Sequence, residues 1–230
     1  MVRYVIATDY DRTITDESLN LCTPLVNMIE SLKIEHHVKF IVCSGRRMSF
    51  LHKTLPGTAD GIIAENGAII EYENQRVLLG ESEGKRIRTV LEGLGLPILF
   101  GEVIAYVPNQ FEKQTIDAIK DRDLNWSIER NRNSIMVLPR GVNKGQGLKR
   151  LLELAELKNT YTIAFGDAEN DLSLLNAADM SIAVANADQS LKAIAKVITQ
   201  KPFCEGVMDF LKEFFDGQPD APGQHIQTNF

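Results

Sequence analysis

The sequence feature that most constrains the fold is an alternation of short apolar runs with segments of helical spacing. The apolar runs at residues 4–7, 38–43 and 61–64 each end in polar residues, and helical segments at 25–32 and 48–55 separate them. Short β-branched runs joined by helices are typical of buried parallel strands. The pattern therefore predicts an α/β fold with an open, Rossmann-like parallel sheet.

The alternation is interrupted once, in the middle of the chain. Residues 82–140 combine helical segments with strand-like runs of antiparallel character, and the helix–strand alternation resumes after them. We predict a discontinuous core domain, residues 1–81 and 141–215, with a small α+β domain inserted at residues 82–140. The turn-rich residues 216–230 are predicted to form a disordered tail.

Composition narrows the possible partners and the setting. A formal net charge of −6 argues against nucleic acid and anionic lipid as partners. Cys22, Cys43 and Cys204 form no metal-binding spacing, which favours a reducing, cytoplasmic setting. Residues 1–7 are too short for a signal peptide, and no apolar run approaches the ~20 residues of a membrane helix. We expect a small-molecule ligand and a monomer or homodimer.

Polar residues stand where the predicted strands end or where the chain re-enters the core domain. They are Asp9, Asp11, Ser44, Gly45, Arg46, Asn66, Lys144, Asp167, Asn170 and Asp171. Ligands of open parallel sheets bind beyond the carboxyl ends of the strands. We therefore expect these residues to meet at one site.

The aspartates predict a metal site. Carboxylates that meet at one sheet edge repel each other unless a cation joins them, and Mg²⁺ prefers oxygen ligands. Asp9 and Asp167 can supply side-chain oxygens, and Asp11 can supply its backbone carbonyl. Asp171 lies four residues after Asp167, a spacing that returns it to the same face of a helix as a ligand or as an orienter of bound water.

A metal ion beside Lys144 and Ser44 suits phosphoryl transfer, because a phosphate dianion needs positive charge and donors on several sides. One aspartate of such a site can attack phosphorus and form an aspartyl-phosphate. A second carboxylate can protonate the leaving oxygen and then activate water. The candidate phosphate- or substrate-binding residues are Ser44, Gly45, Arg46, Asn66, Lys144 and Asn170.

Each of these elements alone has a simpler interpretation. Asp-x-Asp after a strand is typical of a turn or a helix cap, and Lys144 before Gly145 is typical of a solvated lysine. The ordered occurrence of all of them at strand ends favours a functional site. Structural or surface roles are expected for His36, His37, His52 and Trp126.

The residues resemble the motifs of the haloacid dehalogenase (HAD) superfamily of phosphatases over residues 3–215. The motifs stand here as Asp9-Tyr10-Asp11-Arg12-Thr13, Ser44, Lys144 and Gly166-Asp167-Ala168-Glu169-Asn170-Asp171. The resemblance implies that Asp9 is the nucleophile and Asp11 the general acid/base. It also implies that Ser44 and Lys144 bind phosphate and that Mg²⁺ is held by Asp9, Asp11 and Asp167, with Asp171 as ligand or support.

The insertion lies between the second and third motifs, which resembles the C2 cap class. Glu65-Asn66-Gly67-Ala68 before a predicted hairpin resembles the Cof-type (C2B) group, and the short cap is most similar to that of archaeal-type phosphoglycolate phosphatases. Phosphoglycolate is therefore the expected substrate. The alternatives are a sucrose-, trehalose- or mannosylphosphoglycerate-type sugar-phosphate phosphatase, a phosphomutase or, more remotely, a non-catalytic phospho-ligand binding module.

Arg12 departs from the family pattern, which usually has glycine at this position. A glycine relaxes the turn after the second aspartate, and arginine is tolerated there if the residue has helical or extended backbone angles. The charge of Arg12 can serve an acidic substrate or contact the cap. In the cap, Lys113, Arg130 and Arg132 are candidate contacts for a second anionic group on the substrate, with solvated surface charges as the alternative.

Overall fold

Two sheets form the framework of the protein. The computed structural model describes residues 3–55, 57–120, 122–130, 134–157 and 159–217. The strands are β1 (Tyr4–Thr8), β2 (Val38–Cys43), β3 (Gly61–Ala64), β4 (Ile69–Tyr72), β5 (Gln75–Leu78), β6 (Leu99–Phe100), β7 (Ala105–Pro108), β8 (Trp126–Arg130), β9 (Ser134–Pro139), β10 (Tyr161–Gly166), β11 (Met180–Ala183) and β12 (Val197–Ile198).

Eight helices accompany these strands in the described part of the chain, together with single 3₁₀ turns at Glu65–Gly67, Asn109–Phe111 and Glu169–Asp171. The helices are α1 (Thr23–His36), α2 (Met48–Thr54), α3 (Glu81–Glu92), α4 (Glu112–Ile119), α5 (Lys144–Leu154), α6 (Leu172–Asn176), α7 (Gln189–Lys192) and α8 (Phe203–Asp216). None of the described helices has the length and apolar character needed to span a membrane.

The larger sheet has the order β12-β11-β10-β1-β2-β3-β4-β5. Its pairs are parallel from β12 to β3, whereas β4 and β5 form an antiparallel hairpin at one edge. Residues Val5, Ile6 and Ala7 of β1 are all fully buried. Burial on both faces explains why the sequence shows a continuous apolar run there instead of an alternation.

The smaller sheet is antiparallel, with the order β6-β7-β9-β8, and α3 and α4 pack on it. Strand β9 joins two cores. Ile135 and Val137 belong to the cluster shared with α3 and α4, while Met136 and Leu138 belong to the main core. This alternation follows from the two-residue period of a strand. The smaller sheet with α3 and α4 is called the smaller unit, and the larger sheet with its helices is called the larger unit. Strand β9 therefore packs against α3 and α4 with one face and against the larger unit with the other.

The chain passes between the two units beside a glycine. Gly80 precedes α3 and has φ of 72°, in the left-handed region that glycine adopts without steric cost. A Cβ atom at Gly80 would lie 2.7 Å from Cβ of Pro139, the last residue of β9. The outgoing and returning segments therefore run close together, and a side chain at position 80 would force them apart.

Glu65 ties the larger unit to the smaller one through the backbone. Its buried carboxylate accepts hydrogen bonds from the N–H groups of Glu102 (2.8 Å), Val103 (2.9 Å) and Ile104 (3.2 Å), which lie between β6 and β7. Charge-assisted bonds of this kind are stronger than neutral ones. Glu65 therefore fixes the loop that leads into the smaller sheet.

The predicted α/β fold with a central parallel sheet is confirmed, and the differences concern element ends. Helix α1 extends to His36, beyond the predicted helical segment 25–32, and the ring of His36 packs 4.7 Å from that of Phe215. Helix α5 begins at Lys144, because Asn143 caps it by accepting from the N–H of Gln146. Helix α8 includes Asp216, so the predicted tail begins too early; residues 218–230 lie outside the described residues.

We predict that Glu65→Ala lowers the free energy of unfolding by about 2–4 kcal/mol, because three buried N–H groups lose their acceptor. Urea unfolding of the whole chain measures this. Glu102→Ala is the matched control: it removes an exposed carboxylate paired with Arg76 and should change stability by less than about 1 kcal/mol. Equal losses for the two variants would contradict the role of Glu65.

Candidate active site

The carboxyl ends of four neighbouring strands bring the predicted residues together. Asp9 follows β1, Ser44 follows β2, Asn66 follows β3 and Asp167 follows β10, and these strands are adjacent and parallel. The N–H of Asp9 donates to the carbonyl of Phe165 at 2.9 Å, which continues the pairing of β1 with β10 beyond the strand end. The chain therefore delivers these side chains to one edge of the sheet.

Lys144 lies at the centre of the site and is fully buried. Its Nζ donates to Oδ1 of Asp9 and to Oδ1 of Asp171, both at 2.5 Å. Close packing of α5 on α6 makes this reach possible, since a Cβ at Gly145 would lie only 2.2 Å from the carbonyl oxygen of Ser173. Although burial disfavours its ammonium form, Asp171 and Asp9 raise the pKa of Lys144 far above its usual value.

Asp171 closes the loop that carries Asp167. Its Oδ2 accepts from the N–H groups of Asp167 and Ala168, both at 3.1 Å, while its Oδ1 accepts from Lys144. The expected return of Asp171 toward Asp167 therefore occurs, within the 3₁₀ turn Glu169–Asp171 before α6.

Asp9, Asp167 and Asp171 form a buried carboxylate cluster in which one oxygen of each lies within 4.8 Å of the others. Burial raises the pKa of Asp9 well above its usual value; Lys144 opposes this, and Asp171 and Asp167 add to it. Three carboxylates exceed the charge of one ammonium group, and hard oxygen donors are the ligands of divalent cations. The cluster therefore fits a divalent metal ion.

The carboxylate of Asp11 lies outside this cluster and is held by Arg46. The Nη2 of Arg46 donates to Oδ1 of Asp11 at 2.7 Å, and its Nε donates to Oδ2 at 2.9 Å. The guanidinium group of Arg46 also lies 4.8 Å from the centre of the Phe50 ring. Arg46 thus contacts a predicted catalytic residue in this structure.

The predicted asparagines form a chain of hydrogen bonds that leads to the smaller sheet. Nδ2 of Asn170 donates to Oδ1 of Asn66 at 3.2 Å, and Nδ2 of Asn66 donates to the carboxylate of Glu129 in β8. Burial raises the pKa of Glu129, with the bond from Asn66 acting against it. The two amides therefore link the site to the smaller sheet.

Ser44 and Gly45 occupy the turn after β2. Oγ of Ser44 accepts from the N–H of Arg46 at 3.1 Å, and the carbonyl of Gly45 accepts from the hydroxyl of Tyr106 in β7 at 2.7 Å. Sequence reasoning missed Tyr106 and Glu129 because no motif marks them, and only the fold brings them to the site. The importance of Glu65 could have been predicted, since it directly precedes Asn66 in the segment Glu65-Asn66-Gly67-Ala68.

Residues 6–123 and 99–211 match the sequence profile of the haloacid dehalogenase-like hydrolases. The chain belongs to this family.

Relatives span nearly the whole chain. It is 34% identical over 222 residues to phosphoglycolate phosphatase 2 of Saccharolobus solfataricus, with 93% of each chain covered. It is 32% identical to phosphoglycolate phosphatase of Sulfurisphaera tokodaii, with 92% of this chain and 94% of the relative covered. A Thermotoga maritima crystal structure shares the fold with a TM-score of 0.76 at 18% identity and covers 96% of this chain and 99% of that one. The expected enzyme class, an HAD-type phosphatase, is confirmed.

In this HAD-type phosphatase a cavity of about 530 Å³ opens between the two sheets. Asp9, Asp11 and Asp167 line it from the larger unit, and Tyr106 and Met136 line it from the smaller one. Of the predicted cap contacts, Lys113 and Arg130 are absent from the described lining of this cavity, and Arg130 pairs with Glu112 at 2.5 Å. Arg132 lies outside the described residues.

The backbone of Arg12 has neither the helical nor the extended angles that accommodate arginine most easily. Its φ is 61°, in the left-handed region. For a residue with a Cβ this costs roughly 1–2 kcal/mol relative to the right-handed conformation. The N–H of Arg12 donates to Oγ1 of Thr15 at 2.7 Å, and its carbonyl accepts from Nδ2 of Asn186 at 3.0 Å. Surrounding hydrogen bonds therefore hold the strained conformation.

We predict that Lys144→Met lowers the free energy of unfolding by about 3–5 kcal/mol in the absence of divalent ions, because two buried carboxylates lose their partner. The double variant Lys144→Met, Asp171→Asn should recover part of this loss, since one charge is removed. Chemical unfolding measures both variants. Lys149→Met, at an exposed position of α5, is the control and should stay within about 0.5 kcal/mol of wild type; a similar loss there would contradict the argument.

Proposed function

We propose that this phosphatase hydrolyses a small phosphomonoester, with phosphoglycolate as the first candidate, through an aspartyl-phosphate on Asp9. The observation that carries the proposal is the position of Asp9, which lines the cavity while Lys144 holds one of its oxygens. The similarity to two phosphoglycolate phosphatases across more than nine tenths of the chain supports this substrate.

Mg²⁺ is the divalent ion we propose, because carboxylate and carbonyl oxygens are its preferred ligands and it binds together with substrate phosphate. The side chains of Asp9 and Asp167 and the backbone carbonyl of Asp11 would hold it. Both oxygens of Asp171 already accept hydrogen bonds, which favours a supporting role. When bound, the ion would offset negative charge on the phosphate and on Asp9.

Asp9 and Asp11 both take part in each of the two chemical steps. In the first, a carboxylate oxygen of Asp9 bonds to phosphorus as the phosphorus–oxygen ester bond breaks, and Asp11 gives a proton to the departing oxygen. In the second, Asp11 takes a proton from water as the water oxygen bonds to phosphorus. The bond between Asp9 and phosphorus then breaks and releases inorganic phosphate.

Arg46 must leave Asp11 during this cycle. Both oxygens of Asp11 accept from Arg46 in this structure, and an oxygen engaged in this way is not free to transfer a proton. The incoming phosphate offers Arg46 an alternative acceptor with more negative charge. We propose that Arg46 turns from Asp11 to the phosphate, in accord with its predicted phosphate-binding role, while Ser44 and the turn after β2 supply further donors.

Residues 82–140 are proposed to act as the cap that covers the cavity, and Tyr106 and Met136 support this because they line it from that side.

The free thiols of Cys22, Cys43 and Cys204 suit a reducing, cytoplasmic setting.

Asp9→Asn should lower kcat by about 10³-fold or more, because an amide cannot form the phosphoryl ester. Release of inorganic phosphate from a panel of phosphate esters that includes phosphoglycolate measures this. The control is Asp209→Asn, at a surface carboxylate paired with Lys201, which should keep wild-type activity. Full activity of Asp9→Asn would refute the nucleophile assignment, and isomerisation of a phosphosugar without phosphate release would favour a phosphomutase.

Chelation of divalent ions should abolish turnover, and added Mg²⁺ should restore it. Because Mg²⁺ binds the folded carboxylate cluster, it should also raise the thermal unfolding midpoint in a concentration-dependent manner. Asp167→Asn should weaken both effects. Full activity in a chelator, together with an unchanged midpoint, would contradict a metal site here.

A further inference from the structure

Three arginines line the cavity, and they differ in their partners. Arg46 is occupied by Asp11 and by the ring of Phe50. Arg47 is exposed at the start of α2. Arg12 is partly buried, with a side chain that is 29% exposed. Of the three, Arg12 is the one whose guanidinium group is partly buried in the cavity wall near Asp167 without a hydrogen bond to a carboxylate among the described residues.

Arg12 carries a hydrogen-bond donor that the described residues leave unsatisfied. Its Nε is buried and has no hydrogen-bond partner among them. The nearest acidic oxygen, Oδ2 of Asp167, lies 3.9 Å away, beyond hydrogen-bond distance. The guanidinium group is steadied by the ring of Phe203, whose centre lies 5.5 Å from it. A buried donor without an acceptor is costly, so an anionic ligand that reached this Nε would gain a hydrogen bond there.

The side-chain amide of Asn186 bonds to the backbone of two residues with left-handed angles, Arg12 and Phe203. Asn186 donates from Nδ2 to the carbonyl of Arg12 at 3.0 Å and accepts through Oδ1 from the N–H of Phe203 at 2.7 Å. Phe203 is also left-handed, with φ of 56°. Strain that surrounding structure maintains is concentrated at functional sites. A glycine would remove the strain at position 12, yet the chain has a charged side chain there.

We propose that Arg12 is a specificity-determining residue that binds a carboxylate on the leaving-group part of the substrate. This inference rests on the proposed phosphatase function. Asp11, the proposed proton donor to the leaving oxygen, directly precedes Arg12, and both residues line the cavity. A guanidinium group matches a carboxylate in shape and charge and can donate two parallel hydrogen bonds. A carboxylate there would accept from the buried Nε.

The test compares two esters that differ only in the group concerned. They are 2-phosphoglycolate and 2-hydroxyethyl phosphate, in which a hydroxymethyl group replaces the carboxylate. For wild type we expect the ratio of kcat/KM values to favour phosphoglycolate. In Arg12→Gly this ratio should fall by about 10- to 100-fold, mainly through KM for phosphoglycolate, because a charge-assisted bond is lost. Arg12→Lys should retain part of the preference.

Arg12→Gly should fold at least as well as wild type, because glycine accepts a φ of 61° without strain. Its thermal midpoint therefore separates the proposal from a structural role for Arg12, under which the variant would lose stability. The Mg²⁺ concentration for half-maximal activity is measured with each ester, since Arg12 lies near Asp167. Arg150→Gln, at an exposed position paired with Glu153, is the control and should leave the ester ratio unchanged.

Several outcomes would overturn the inference. An equal effect of Arg12→Gly on both esters, with an altered Mg²⁺ requirement, would show that Arg12 acts on the metal site. A loss of preference in Arg47→Gln but not in Arg12→Gly would transfer the role to Arg47. If wild type hydrolyses neither ester but turns over other phosphate esters, this inference fails and the phosphatase function stands. If wild type hydrolyses no phosphate ester, both fail. Turnover of both esters with a ratio unmoved by Arg12→Gly rejects the inference alone.

Discussion

The ion triad of Lys144 with Asp9 and Asp171 is the interaction on which the site depends. Buried carboxylates are costly unless a positive group compensates them, and the cost of burying Lys144 is met only by short contacts to both partners. Those contacts require that β1 end beside β10 and that α5 begin at Lys144 against α6. The parallel sheet and the packing of two helices are thus geometric conditions for a single ammonium group to reach two carboxylates.

The contacts between the two sheets differ from those within each core. Val103 and Met136 add apolar contact, but the specific links are polar and run through Glu65, Asn66 and the hydroxyl of Tyr106. Polar interfaces between domains exchange their partners for water more readily than apolar ones. This arrangement allows the smaller unit to be held in one orientation while the cavity between the units stays open to a substrate.

The sequence predicts the elements that depend on local pattern. The apolar runs of β1 and β2 and the polar residues after them suffice to locate Asp9 and Ser44 at one sheet edge, because parallel strands leave few alternatives. It does not predict contacts that need tertiary distance, such as Glu129 reaching Asn66. The left-handed conformation of Arg12 is not predicted for a related reason: one of the two hydrogen bonds that hold it comes from Asn186, which is 174 positions away in the chain.

Charge balance in the cavity connects the metal, the arginines and the substrate. The described lining contains three aspartates, Asp9, Asp11 and Asp167, and three arginines, Arg12, Arg46 and Arg47, so it is nearly neutral without a metal ion. A bound divalent cation makes it positive by two charges, although the chain as a whole carries −6. A positive electrostatic field confined to the cavity attracts a small molecule that carries several negative charges. It does not attract neutral molecules, or extended ones that reach beyond the cavity. A small phosphate ester with a second anionic group meets that condition, and a neutral sugar moiety gains nothing from the additional arginines.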